Sequence, residues 1–325
     1  MKKSYLIIVI AIAGLITLSA SYVAWNRMDP DFTCALCHEI RPACVSWQNS
    51  AHAGISCKEC HGTALSDGFT SLSEKARMVY VHFTQKKTNE DLHLTESQAL
   101  AITSKCAECH QAEHAAWQSG AHSTTYKDIF MDVPHNEMEK PYWDCFRCHG
   151  AHYEGNIHDL MSLEGDVASW KIHDEKQAGL PTITCLTCHQ MHGDQDRRVD
   201  YASLDEESKD GWMQKRERPA TALYSRAEKR HIPSDKLLKP TIYDGDSLIK
   251  VTDDPNAWLC MQCHSPNGRR EVGTEDDKTP IGIYEGMSCL DCHNPHSNGL
   301  KNDYRNVHNS SLTVQQADAL GNIAH

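Results

Sequence analysis

The sequence predicts a mainly α-helical and irregular chain with little β structure, organised around a repeated five-residue unit in place of a conventional side-chain core. Three observations lead there. An uncharged apolar stretch, Ser4 to Trp25, follows a short basic start. The pattern Cys-x-x-Cys-His then recurs seven times, at Cys34–His38, Cys57–His61, Cys106–His110, Cys145–His149, Cys185–His189, Cys260–His264 and Cys289–His293. Finally, only 40% of the 325 residues are apolar and phenylalanine occurs five times, less than a soluble chain of this size usually uses for a core.

Cys-x-x-Cys-His is the attachment site of c-type haem. The paired cysteines are Cys34 and Cys37, Cys57 and Cys60, Cys106 and Cys109, Cys145 and Cys148, Cys185 and Cys188, Cys260 and Cys263, and Cys289 and Cys292. Each pair adds across the two vinyl groups of a haem. The adjoining His38, His61, His110, His149, His189, His264 or His293 then reaches the iron as proximal ligand. Zinc sites have no need for histidine directly after every second cysteine, and a disulfide framework has no need for seven equal spacings. Thioredoxin-like motifs occur once, beside a βαβ pattern that is missing here. The motifs use fourteen of the fifteen cysteines; the other, Cys44, reads as a small buried apolar residue. The sequence therefore predicts a multihaem c-type cytochrome, its chain wrapped around seven covalent haems whose apolar rings replace much of a side-chain core. A formal charge of −12 argues against nucleic acid as a partner. In bacteria haem attachment is completed outside the cytoplasmic membrane, so the bulk of the chain is expected in the periplasm.

In chain order, residues 1–27 read as a single-pass anchor in the cytoplasmic membrane. Ser4 to Trp25 is long enough to cross a bilayer, Lys2 and Lys3 fit the positive-inside rule, and Tyr5, Tyr22 and Trp25 suit the two interfaces. Ser19-Ala20-Ser21 offers the rival reading of a cleaved signal peptide, but the apolar stretch runs on past it. Residues 28–110 carry haems 1 to 3. Eight residues separate Trp25 from Cys34, which places haem 1 near the outer membrane surface. Ser71 to Phe83 reads as a helix, with Ser71 and Glu74 at capping-box spacing and Leu72, Ala76, Val79 and Phe83 on one face. That helix either packs on haem or lies on the membrane as an amphipathic element.

Residues 1–110 resemble the NapC/NirT family of membrane-anchored quinol dehydrogenases, including its NrfH-type members. The resemblance lies in the single anchor, the early first motif, Trp47-Gln48-Asn49-Ser50-Ala51-His52, Cys57-Lys58-Glu59-Cys60-His61, and the helix running from Lys75 to His82-Phe83-Thr84. It implies a quinol site at the membrane face near haem 1, with Lys75 contacting the quinol. A lysine ammonium can hydrogen-bond a quinone oxygen there; the ordinary reading of Lys75 is a solvated helix lysine. The resemblance also implies a periplasmic or membrane-attached redox partner. Ile40 stands where NrfH-like members carry a methionine.

The rest of the chain goes beyond that resemblance. Residues 111–193 carry haems 4 and 5. Residues 194–257 form a charged, haem-free insertion, either solvated or an arm that docks a partner or lends His231 to an iron. Residues 258–325 carry haems 6 and 7 and a polar tail. Internal repeats indicate growth by duplication: Trp47 to His52 echoes Trp117 to His122, and Gly54-Ile-Ser-Cys57 echoes Thr182-Ile-Thr-Cys185 and Gly286-Met-Ser-Cys289. Trp47 and Trp117 are expected to pack on haem faces. The abundant remaining histidines point to sixth ligands. His152, His192 and His296 each follow a motif as Cys-x-x-Cys-His-x-x-His, one helical turn away, and so cannot reach around their own haem but can reach a neighbouring iron. His52 and His122 stand in the tryptophan repeats. His82, His135, His158, His173, His231 and His308 are further candidates, with His93, His114 and His325 behind them. Bis-histidine haems make an electron carrier that rearranges little. The function expected is passage of electrons from membrane quinol to an extracytoplasmic redox protein. The alternative is a reductase of a small nitrogen or sulfur oxyanion with one open-coordination haem.

Overall fold

The computed structural model describes residues 2–28, 35, 40–62, 79–80, 82–84, 94–192, 221–244, 246–249, 251–264 and 288–297. These residues are mostly helical with little strand, in line with the sequence expectation. Cys34, Cys37, His38, Lys75 and His308 lie outside them, as do His93, His325 and most of the expected Ser71–Phe83 helix. The chain divides into two compact units: residues 1–92 with 192–194, and residues 93–191 with 195–325.

In the first unit, helix α1 (Lys2–Arg27) contains the apolar stretch Ser4–Trp25, 22 residues long and without a buried residue. At 1.5 Å per residue it spans about 33 Å, enough for a hydrocarbon core; a signal sequence near the N-terminus passes the same test. A helix C-terminus leaves carbonyls unsatisfied, and here Lys58 supplies the donor. Its Nζ hydrogen-bonds Trp25 O and Met28 O and lies 5.8 Å from the centre of the Trp25 ring. Helix α2 (Arg41–Gln48) buries Cys44, as a small apolar cysteine should be. Val79, Tyr80 and His82–Thr84 are helical, and Val79, Tyr80 and Phe83 are exposed.

The second unit is built from short helices, most of them closed by a side-chain cap. Helix α4 (Glu96–Cys109), so numbered because α3 is the Cys57–His61 turn, opens on a capping box: Gln98 N donates to Thr95 Oγ1 at 3.4 Å and Thr95 N to Gln98 Oε1 at 3.0 Å. Helix α5 (Gln111–Gln118) follows. Helices α6 (Tyr126–Phe130), α7 (Val133–Met138), α9 (Ile157–Leu160) and α10 (Glu175–Ala178) have Thr125, Asp132, Asn156 and Asp174 as their N-caps. Helices this short are marginal alone, so the caps and the core between them decide where they form.

Between the caps the second unit also has a side-chain core. Tyr126, Phe130, Phe146, Ile157, Leu160, Met161, Leu163, Trp170, Ile172 and Ala178 pack together as a continuous cluster. The chain concentrates its few aromatics here: Phe130 lies 5.3 Å from Phe146, and Phe146 lies 4.9 Å from Tyr153, ring centre to ring centre. Gly150, directly after Cys145–His149, takes φ +116, and a Cβ there would lie 2.7 Å from the Tyr126 hydroxyl, so only glycine fits. Tyr126 donates to Glu96 Oε1 at 2.5 Å, and Gln177 Nε2 donates to Glu96 Oε2 at 2.9 Å. Burial lifts the Glu96 carboxyl above its ordinary range, against these two hydrogen bonds.

The expected insertion, residues 194–257, is a folded element in its described part. Strands β1 (Ala222–Ser225) and β2 (Arg230–Pro233) pair antiparallel, with Tyr224 opposite His231. Strands β3 (Ile242–Asp244) and β4 (Ser247–Ile249) form a second hairpin. Ala222 and Tyr224 are buried. Thr221 Oγ1 donates to Asn256 Oδ1 at 2.7 Å, and Arg226 hydrogen-bonds the carbonyls of Tyr153 and Gly155. The charged runs around Arg197, Asp205 and Lys215 lie outside the described residues.

Replacing Tyr126 by Phe should lower the stability of the chain by about 1–3 kcal/mol in denaturant titration. Raising the folded-state pKa of a carboxyl makes the native state hold its proton more readily, so the site's contribution declines as pH rises through that pKa. The Tyr126 bond is charge-assisted only when Glu96 is ionised. The penalty of Tyr126→Phe should therefore shrink as pH is lowered through the raised pKa.

Candidate haem-ligand sites

Six of the seven motifs are described, and their geometry repeats. Each forms one helical turn: α3 (Cys57–His61), the end of α4, α8 (Cys145–Cys148), α11 (Cys185–Cys188), the end of α12 (Pro255–Cys260) with Met261–His264, and α13 (Cys289–Cys292). In five of them the histidine N–H donates to the carbonyl of the first cysteine: His110 to Cys106 and His149 to Cys145 at 2.8 Å, His264 to Cys260 and His293 to Cys289 at 2.9 Å, and His189 to Cys185 at 3.0 Å. The repeat that places Ser or Thr before the first cysteine has a mechanical cause. Ser56 accepts from Lys58 N at 3.3 Å and Ser288 from Leu290 N at 3.3 Å, while Thr184 N donates to Thr187 Oγ1 at 3.1 Å. These residues hold the first turn in place.

The tryptophan repeats meet this second repeat. Trp47 Nε1 donates to Ile55 O at 2.9 Å, and Trp117 Nε1 donates to Ile183 O at 3.1 Å. Each carbonyl lies two residues before the first cysteine of a motif, so the same latch is built twice, once in each unit. The two tryptophans, expected on haem faces, use their indole N–H groups for this.

Three motif histidines face a second histidine. His61 and His192 stack with ring centres 5.7 Å apart and Nε2 atoms 3.4 Å apart. His122 and His264 lie 5.9 Å apart, and His189 and His296 lie 6.0 Å apart. Imidazoles on opposite faces of one metal, with bonds of about 2 Å each, hold their nitrogens roughly 4 Å and their ring centres roughly 6 Å apart. The three ring-centre spacings match that of a pair bridged by a metal, and the 3.4 Å between the Nε2 atoms of His61 and His192 is about 0.6 Å short of it. Among the described residues no three His, Cys, Asp or Glu groups converge on a bare ion. His122 Nδ1 donates to Pro295 O at 2.9 Å, leaving Nε2 as the ring nitrogen with a lone pair for a metal. Burial and neighbouring histidines push His189 down to about 4, so its imidazole is neutral, as a ligand must be.

The other candidates divide by environment. His152 is buried with the Leu186 backbone beside it and neither ring nitrogen in a well-formed hydrogen bond, and its ring stacks 4.1 Å from Tyr224; a buried imidazole in that state suits a ligand or a metal. Burial also leaves His149 Nδ1 unpartnered and pushes His149 and His152 down to about 4. His231 Nε2 donates to Leu186 O at 2.7 Å, which ties β2 to α11 and occupies that nitrogen. His173 bonds Ser162 Oγ at 2.9 Å and Asp159 O at 3.2 Å. His82, His135 and His158 are exposed, His52 is half-buried, and His114 packs on Trp117. Lys58, missed by the sequence reading, holds the Cys57–His61 turn to the end of α1; its place inside the motif was the available signal.

These single-turn sites with paired imidazoles define a c-type cytochrome. Part of the chain is homologous to the NrfH-type, NapC/NirT-related membrane-anchored multihaem cytochromes c. It is 26% identical over 129 residues to the cytochrome c-type protein NrfH of Wolinella succinogenes, covering 38% of this chain and 70% of that protein. The crystal structure of a cytochrome c nitrite reductase NrfHA complex bound to the HQNO inhibitor aligns with 42% of this chain and 94% of its own matched chain, at 23% identity and a TM-score of 0.28. No family model matches the chain.

Trp47→Phe and Trp117→Phe each remove one latch donor. Each should lower stability by about 1–3 kcal/mol in thermal or chemical unfolding, with similar values for the two.

Proposed function

We propose that the protein is a single-pass, membrane-anchored heptahaem c-type cytochrome that passes electrons from membrane quinol to a periplasmic redox protein. The observation that carries this reading is the set of three facing histidine pairs. Each joins the histidine of a Cys-x-x-Cys-His turn to a second histidine at the spacing of a six-coordinate iron. When bound, the haems supply one-electron redox chemistry; the chain's own residues hold them. The seven motif histidines are the proximal ligands. His192 closes the site of Cys57–His61, His122 that of Cys260–His264, and His296 that of Cys185–His189. The buried His152 is a fourth distal ligand.

Closed, low-spin sites favour a carrier over a reductase, because a reductase needs an open iron. The homology to NrfH supports α1 as a retained anchor, a quinol site with Lys75 beside haem 1, and a complex with a reductase-type partner. The exposed Val79, Tyr80 and Phe83 suit the surface of a bilayer.

Mass spectrometry of the purified chain should find seven haem adducts. His122→Ala, His192→Ala and His296→Ala should each convert one low-spin haem to a high-spin form that binds carbon monoxide, read by absorption and EPR, whereas His158→Ala and His173→Ala should leave the spectra unchanged. In detergent the protein should oxidise quinol and Lys75→Ala should slow it; an unchanged rate removes Lys75 from the site.

A further inference from the structure

We propose that the β1–β2 hairpin is the element that positions His152 as an iron ligand, with Tyr224 as the positioning residue. The proposal rests on the functional reading above, in that the motifs carry haem and His152 serves one of the irons.

An imidazole binds a metal through a nitrogen on its edge. Whatever orients it must grip its face or its backbone and leave that edge alone. His152 is held in this way. Tyr224 stacks on it with ring centres 4.1 Å apart and planes inclined by 28°. The stack covers the face of the imidazole and engages neither ring nitrogen. The Tyr224 hydroxyl is committed elsewhere, donating to Leu94 O at 3.3 Å. Both residues are only 4% exposed, and a close-packed interior leaves a stacked ring little room to turn.

The backbone around His152 is held too. Tyr153 N donates to Gly150 O at 2.9 Å. Arg226, two residues past Tyr224, donates through Nε to Tyr153 O at 3.1 Å and through Nη2 to Gly155 O. Its guanidinium also lies 5.0 Å from the centre of the Phe146 ring. The carbonyls just after His152 are thus tied to the hairpin that carries the stacking ring. On the facing strand His231 braces Tyr224. The two are opposite in register, and their rings meet edge to face at 5.2 Å. His231 Nε2 in turn donates to Leu186 O at 2.7 Å, in the turn of Cys185–His189. One hairpin therefore ties the segment after Cys145–His149 to the next motif. This gives the hairpin a role in haem ligation without any ligand of its own, and it makes His231 a brace.

Full-chain variants test this, each confirmed by mass to carry the parent's haems and read by absorption, EPR and carbon monoxide titration. His152→Ala should open one haem to carbon monoxide. Tyr224→Leu, which fills the space but cannot stack, should open the same haem. Tyr224→Phe, which keeps the ring, should leave it closed. The double variant Tyr224→Leu, His152→Ala should open one haem and not two. No haem opened by Tyr224→Leu, a haem opened by Tyr224→Phe, or two opened by the double variant would each overturn the proposal. So would His152→Ala opening none, a result that leaves the three histidine pairs standing. The functional reading fails on a different result, a parent chain that carries no haem. Should Tyr224→Leu not load or fold, the structure of the haem-loaded parent decides. An iron bonded to His152 with Tyr224 stacked on the imidazole supports the proposal; an imidazole without iron, or without that stack, sinks it.

Discussion

The spacing between two imidazole rings is the constraint on which the rest of the arrangement depends. A pair of histidines fits an iron only if both rings are held at about 6 Å and face each other. The chain must hold it from outside, by fixing the turn that carries one ring and the distant segment that carries the other. Hence the single-turn helices closed by histidine N–H to cysteine carbonyl bonds, the caps before the first cysteine, and the anchoring of His122 by Pro295. The small core of Tyr126, Phe130 and Phe146 has the same role on a larger scale: it is a fixed body from which the motif turns project.

Much of the local structure was legible in the sequence. Cys-x-x-Cys-His announces its own turn, because its cysteines and histidine must lie on one side of a flat ligand. Ser56, Thr184 and Ser288 were visible as a repeat before they were visible as caps. The helix from Glu96 to Cys109 is long enough for its capping box to stand out. The four- to six-residue helices are not legible in the same way, since one turn carries no periodicity and its cap residues also serve ordinary turns.

The pairings were legible only in part. His192 and His296 could be read as reaching a neighbour, since one helical turn cannot carry a ring around its own haem. Which neighbour depends on contacts between residues far apart in the chain, and no local pattern encodes those. His231 shows the converse: its candidacy followed from residue type alone, and the structure gives its Nε2 to a backbone carbonyl. In the region from 194 to 257 the charged runs that suggested solvation lie outside the described residues, while the strand residues Ala222 and Tyr224, alternating with Leu223 and Ser225, enter the interior.

The indole latch has a consequence for how such a chain can lengthen. Trp47 grips the carbonyl of Ile55 eight residues on, and Trp117 that of Ile183 sixty-six residues on, past the whole Cys145–His149 motif. The grip fixes the backbone just before a motif and is indifferent to how much chain lies between its two ends. New segments can therefore be inserted inside such a loop without disturbing the turn that the indole holds.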